Sequence, residues 1–113
     1  MFLRLLFIIL IIFASSCSKK EEKISIIKEK EINFQMIDAY KEGVEAFENG
    51  DILFAAKKFN EAEILFPQSE WASKSILMAA YSYYSQDYYY DAISELERFI
   101  QKYPNHERLN YAH

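Results

Sequence analysis

Cysteine, glycine and proline are scarce: one, two and two among 113 residues. A single thiol excludes a disulfide framework and a cysteine metal cage. Two glycines and two prolines leave few points where the chain must turn or break, which favours long helices over a turn-rich sheet. The only histidines, His106 and His113, have no thiol or carboxylate cluster beside them, so no metal or other cofactor is expected. A Gly-rich phosphate loop and an HExxH pair are both missing, and nothing reads as an active site. Basic charge is short, with 13 Lys and Arg against 17 Asp and Glu. Such a chain gains nothing from counterion release on phosphates, so nucleic acid is not an expected partner. The longest apolar run, residues 5–13, falls well short of the ~20 residues that a membrane span needs. Aromatics, by contrast, are abundant, with nine Phe, nine Tyr and one Trp.

The apolar run defines the amino end. Arg4 precedes it, Ala14-Ser15-Ser16 follow it, and Cys17 stands before the polar Ser18-Lys19-Lys20. A charged start, a short apolar core and small residues before a cut point are the parts of a secretory signal, here residues 1–16. A cysteine just past the cut is similar to the lipobox of bacterial lipoproteins. That resemblance implies cleavage between Ser16 and Cys17, a thioether-linked diacylglycerol on Cys17 and acylation of the new amino end. Ala14 stands where the lipobox usually has Leu. Each buried CH2 contributes ~0.8 kcal/mol, so two or three acyl chains give a stable membrane anchor. In such lipoproteins Asp after the lipidated cysteine favours the inner membrane. Ser18 occupies that place, which implies the periplasmic face of the outer membrane. The alternative is an ordinary signal peptide, or an uncleaved anchor, with an incidental cysteine.

Residues 17–33 read as the lipidated cysteine and a charged tether, with Lys19, Lys20, Glu21, Glu22 and Lys23 and then Lys28-Glu29-Lys30-Glu31. The segment has no sustained apolar face, so a solvated spacer is expected, transiently helical through Glu–Lys pairs. From Phe34 the period becomes helical: Ile37, Tyr40, Val44 and Phe47 recur at three and four and share one face. Asn49-Gly50-Asp51 ends that helix, because Gly supplies a left-handed residue and Asp51 can cap the next helix. A second helix carries Ala55, Phe59, Ala62 and Phe66, and Pro67 stops it. A third covers 71–85 with Trp71, Ile76, Leu77, Ala80, Tyr81 and Tyr84. A fourth carries Tyr89, Ala92, Leu96, Phe99 and Tyr103 up to Pro104.

The second pair of helices repeats the first. Ala55 and Ala92, Phe59 and Leu96, Ala62 and Phe99, Phe66 and Tyr103, and Pro67 and Pro104 are each 37 residues apart. Two-helix repeats of this length mark an all-α solenoid. The order Gly43, Gly50-Asp51, Ala55, Phe59, Ala62, Pro67 resembles the tetratricopeptide repeat. The expected domain is 34–113, with repeats near 36–69 and 73–106 and a third opening at Asn110-Tyr111-Ala112-His113. Gly43 and Ala80 are small where paired helices cross, and Phe59 and Leu96 fill the gap between helices. Asp87 stands where a turn glycine is usual, which predicts a differently shaped turn. A repeat cannot bury its apolar face alone, so further chain or a partner is expected to cover the open end.

In tetratricopeptide arrays the first helix of each pair lines a concave groove. Register places Tyr40, Val44 and Phe47 there from the first pair, and Leu77, Tyr81 and Tyr84 from the second. Tyr combines apolar area with a hydroxyl at low entropic cost, which suits peptide recognition. The competing reading makes these rings inter-repeat core. Tyr88-Tyr89-Tyr90 cannot all face inward, so at least one ring is expected to be exposed. His106 reads as a loop residue packing between repeats, and Glu42, Glu45 and Glu48 as a solvated face.

The lipobox and tether, Phe66-Pro67-Gln68-Ser69-Glu70-Trp71-Ala72, Ala79-Ala80-Tyr81-Ser82-Tyr83-Tyr84 and Arg98-Phe99-Ile100 with Tyr103-Pro104-Asn105-His106 and Tyr111-Ala112 together resemble the BamD family of outer-membrane lipoproteins. The likeness covers nearly all of the mature chain but about the amino-terminal half of a typical member. Glu107 stands where the family often has a second proline. The resemblance implies a non-enzymatic subunit of the machinery that folds β-barrel proteins into the outer membrane, working with BamA and other subunits. It also implies that the amino-terminal repeats engage unfolded barrel substrates, including their carboxy-terminal signal strands. The BamA contact lies mostly in later repeats, so no residue is assigned to it. Two other readings stay open: a pilotin-like lipoprotein escorting secretin subunits, and a structural tether with its aromatic face buried against a partner.

Overall fold

The computed structural model describes residues 1–14 and 18–113, with side chains placed for 1–8 and 22–113. Cys17 and the cleavage junction lie outside the described residues. All regular structure among the described residues is helical. The chain divides into two units, Met1–Glu31 and Ile32–His113. In the first, α1 (Phe2–Ala14) carries the apolar run, and residues 2–8 are exposed. No helix among the described residues is long and apolar enough to cross a membrane.

Helix α2 spans Ser18–Glu48, so the segment expected to be a solvated spacer is helical. Lys and Glu are good helix formers, and no Gly or Pro interrupts the run before Gly43. Side chains 22–35 are exposed, and burial begins at Met36. The solenoid face thus starts where the apolar period starts, although the helix starts earlier.

The second unit continues with α3 (Ile52–Leu65), α4 (Glu70–Ser85), α5 (Tyr89–Lys102) and α6 (Leu109–Ala112). Small residues decide how closely these helices approach. Ala55, Ala56, Ala62, Ala72 and Ala79 are fully buried. A Cβ on Gly43 would lie 2.8 Å from the Phe59 ring, so α2 and α3 meet at a distance only glycine allows. Phe59, Ala55, Ala56, Ala46 and Ala79 form one core cluster, while Ile76, Phe99 and Ala112 form the next along the solenoid. The first turn of the third repeat therefore already packs, through Ala112.

The two inter-helix turns share one shape. Gly50 has φ 81° and Asp87 has φ 63°, both left-handed. Gly50 N–H donates to Phe47 C=O at 3.1 Å and Asp51 N–H to Ala46 C=O at 2.9 Å. At the same register Asp87 N–H donates to Tyr84 C=O at 3.1 Å and Tyr88 N–H to Tyr83 C=O at 3.0 Å. The expectation of a different second turn is thus corrected. Two bonds closing the helix end hold Asp87 left-handed without glycine, and its carboxylate accepts from Tyr89 Oη at 2.8 Å. The caps do differ: Asp51 accepts from Phe54 N–H, whereas Tyr88 offers α5 no side-chain cap.

A polar network joins α3 to α5. Glu63 is fully buried on α3, and Lys102 and Arg98 of α5 both reach its carboxylate, Arg98 at 3.3 Å. Asn60 donates to Glu95 at 2.8 Å and accepts from Arg98 at 3.1 Å. Burial works to lower the Arg98 pKa, but the hydrogen bonds and charges of Glu95 and Glu63 outweigh it and leave it raised. Tyr103 completes the tie by donating to Pro67 C=O at 3.1 Å.

Candidate functional site

Two hollows open along the first helices of successive repeats. The first, of about 390 Å³, is lined by Ile37, Tyr40 and Val44 of α2 and closed by Trp71 at the start of α4. The second, of about 580 Å³, is lined by Leu77, Ala80, Tyr81 and Tyr84 of α4, with Ala92 and Leu96 of α5 behind them and Arg108 and Tyr111 at the next repeat's opening. The same 37-residue shift relates them: Tyr40 corresponds to Leu77, Val44 to Tyr81, and Trp71 to Arg108.

The first hollow is built around a packed ring. Tyr40 meets Phe59 edge-on with centroids 5.3 Å apart and Trp71 edge-on at 5.0 Å. Trp71 is held there because Ser69 caps α4, accepting from Trp71 N–H at 3.2 Å. Lys74 lies over the Trp71 ring at 4.9 Å. Burial raises the pKa of the Tyr40 hydroxyl, while the Arg108 charge pulls it the other way. The rim is charged, with Lys41, Glu45 and Glu48.

The second hollow lies where the third repeat begins. Tyr81 is 55% exposed and Tyr84 60%. Tyr81 stacks at a tilt on Phe47 at 5.5 Å, and Tyr84 on Tyr89 at 5.7 Å. Phe47 therefore touches the second hollow rather than lining the first, and links the two. Leu77 and Leu96 pack partly against the core below. The floor is thus apolar and anchored, while the walls are aromatic and wet.

The structure places the six expected residues in two groups joined by Phe47–Tyr81: Tyr40 and Val44 at the first hollow, and Leu77, Tyr81 and Tyr84 at the second. Tyr40 is more core than its hydroxyl suggested, being wedged between Phe59 and Trp71. Of the tyrosine run, Tyr90 projects fully, at 92% exposure. Sequence reasoning missed Trp71 and Arg108 as equivalent gate positions. The shift that pairs Tyr40 with Leu77 also pairs these two, so the signal was present.

A second cavity of about 580 Å³ adjoins the open hollow, sharing Leu77 and Arg108 with it. Its lining is polar and includes Ser73, Lys74, Asn105 and His106. His106 is fixed by contacts on three sides. Its Nδ1 accepts from Arg108 N–H at 3.1 Å, Nε2 lies 3.1 Å from Ser73 Oγ, and the ring meets Phe99 edge-on at 5.2 Å. Ser73 Oγ donates to Glu70 C=O at 2.9 Å, so it receives the Nε2 proton. These bonds hold the backbone of Arg108 in place. Among the described residues, no group of His, Cys, Asp and Glu could hold a metal ion.

Residues 33–113 match the model of a family described as YfiO, outer membrane lipoprotein. The chain is 33% identical over 98 residues to the outer membrane protein assembly factor BamD of Caulobacter vibrioides, covering 87% of this chain and 31% of that protein. It is 33% identical over 73 residues to the BamD of Neisseria gonorrhoeae, covering 65% of this chain and 27% of that one. The chain thus spans about a third or less of the length of these curated relatives. No solved structure matches it. With the family model covering the whole of the repeat unit, the chain belongs to the YfiO family of outer membrane lipoproteins.

Proposed function

We propose that this chain is a lipid-anchored, non-enzymatic subunit of the outer-membrane β-barrel assembly machinery, and that its groove receives unfolded barrel segments. BamA and the other assembly subunits are its partners in this reading, and Cys17 carries the anchor to the periplasmic face of the outer membrane. One observation carries the proposal. The first helices of both repeats line one apolar groove, with Ile37, Tyr40, Val44 and Trp71 around a hollow of about 390 Å³ and Phe47 stacked on Tyr81 beside it. Unfolded barrel strands alternate apolar and polar side chains, so an extended segment can lay alternate residues on such a surface. Stacking on partly solvated rings gives modest affinity, which lets a substrate be passed on. The relatives are outer membrane protein assembly factors by name, which agrees with this role.

The test uses the full chain in lipid vesicles and immobilised peptides taken from barrel strands, with scrambled controls. Capture that depends on peptide sequence supports the proposal. Capture equal to the scrambled controls removes it and leaves the tether reading. For the anchor, Cys17→Ala should abolish incorporation of labelled fatty acid and release the protein from membranes. Retained labelling would overturn the assignment of Cys17.

A further inference from the structure

The tether holds apolar residues that a solvated spacer does not need. Residues 22–31 lie in α2, and Ile24, Ile26 and Ile27 are all exposed there. Single exposed apolar side chains such as Ile64 on α3 are ordinary, but three within four positions need a cause. Helical register sorts the segment into two sides. At about 100° per residue, Ile26, Lys30, Lys23, Ile27, Glu31 and Ile24 follow one another within an arc of roughly 160°. Glu22, Glu29, Ser25 and Lys28 take the other side. By the helical period alone, the sequence continues this sorting upstream: Lys19 and Lys20 fall with the isoleucines, and Glu21 falls opposite. The isoleucine side thus has four lysines to one glutamate, and the other side three glutamates to one lysine. Such sorting does not support a helix in water. No Lys and Glu stand four apart anywhere in residues 19–31, and Lys19 and Lys23 are like charges at that spacing. Lys19–Glu22 and Lys28–Glu31 are three apart with the cation first, the weaker order.

We propose that residues 22–31 form a membrane-surface helix whose isoleucine side lies on a bilayer bearing anionic headgroups. Ile24, Ile26 and Ile27 enter the boundary between headgroups and acyl chains. Lys23 and Lys30 lay their stems along it and end at the headgroup charges, while Glu22 and Glu29 face water. The charge sorting is what selects a lipid surface: an anionic surface attracts the lysine side and repels the glutamate side. Position in the chain agrees. The segment begins five residues after Cys17, so a lipid on that cysteine holds it against the bilayer at high effective concentration. The proposal rests on the Cys17 anchor and adds a second, non-covalent attachment beside it. The tether is then a strip bound to the surface rather than a free spacer.

The experiment uses the mature lipidated protein in vesicles containing anionic phospholipid. Four variants, Ile24→Cys, Ile27→Cys, Ser25→Cys and Glu29→Cys, each carry a small fluorophore on the new thiol. Quenching is measured with a lipid-borne quencher and with iodide in the water. The expected result is lipid quenching about threefold stronger at Ile24→Cys and Ile27→Cys than at the other two, with iodide giving the reverse order. The contrast should shrink in zwitterionic vesicles, in added salt, and when Lys23→Gln and Lys30→Gln are combined with each variant. Equal access of iodide to all four positions would overturn the proposal, leaving a free spacer or a strip that awaits a protein partner. Equal lipid quenching at all four would overturn it as well, since a surface helix has a wet side. A contrast indifferent to lipid charge and to the lysine variants would overturn the assignment to anionic headgroups. The anchor is scored separately, by fatty-acid labelling of the wild type. If no label enters, the anchor reading fails, and the same four positions measured in the Cys17→Ser background decide the helix: alternation there supports it, and its absence overturns it.

Discussion

The two repeats share a frame and differ in what they leave open. Gly50 and Asp87 turn the chain identically, Ala55 and Ala92 are both buried, and Pro67 and Pro104 follow the same helix ends. The hollows above that frame diverge. In the first, Tyr40 packs edge-on against both Trp71 and Phe59. In the second the equivalent positions hold Leu77 and Arg108, and an aromatic, Tyr81, stands where the first has Val44. A solenoid fixes geometry through small and core residues, so positions facing the groove are free to become either core or contact.

The contrast can be broken first at its centre. Phe59 is fully buried in one cluster with Ala79 of α4, whereas its equivalent Leu96 lies on the face that meets the third repeat, beside Tyr111. Phe59→Ala should cost about 3–5 kcal/mol and Leu96→Ala about 2 kcal/mol in urea unfolding. Equal costs would mean that the repeats are equally packed. A similar asymmetry is expected in the α3–α5 network. Arg98→Met combined with Lys102→Met strands the buried Glu63 carboxylate and should cost ~3–5 kcal/mol. Glu63→Met should cost only about 1–2 kcal/mol, because both cations are partly exposed and can turn to water. The same unfolding curves would show the reverse order if the carboxylate alone held the helices together.

Smaller effects sharpen the comparison at the crossings and turns. Gly43→Ala gains helix propensity but drives a methyl into Phe59, for a net loss of ~1–2 kcal/mol. A raised midpoint would show that Phe59 can move aside. At the turns, Asp87→Gly relieves a left-handed side chain and gives up the Tyr89 bond, so stability should rise by ~0.5 kcal/mol. Gly50→Asp should lose a comparable ~0.5–1 kcal/mol, since it imposes on the first turn what the second tolerates. Thermal midpoints of the pair moving in the same direction would contradict the shared turn geometry.

The parts of this molecule legible in the sequence are those with local causes. Gly50, Pro67 and Pro104 mark helix ends because backbone geometry is a property of the residue itself. The Ala–Phe–Pro spacing revealed the period because each repeat meets the same neighbours. The start of α2 was not legible, since Lys and Glu suit a helix and a solvated tether equally well. Asp87 was misread because the bonds from Asp87 and Tyr88 N–H that hold it left-handed belong to the helix end and not to the side chain. Nothing local marks Glu63 as buried, since its partners lie 35 and 39 residues away on another helix.

The most direct test compares Tyr40→Ala with Tyr81→Ala in the full chain, measuring urea midpoint and affinity for a barrel-strand peptide on each. The place of Tyr40 between two rings predicts that Tyr40→Ala lowers the midpoint through lost packing against Phe59 and Trp71. The exposed ring of Tyr81 and the peptide-receiving role proposed for it predict that Tyr81→Ala keeps a near-wild-type midpoint and binds the peptide several-fold more weakly. A Tyr81→Ala protein that unfolds early, or binds as well as the wild type, would contradict the division of the groove into a packed seat and a receiving one.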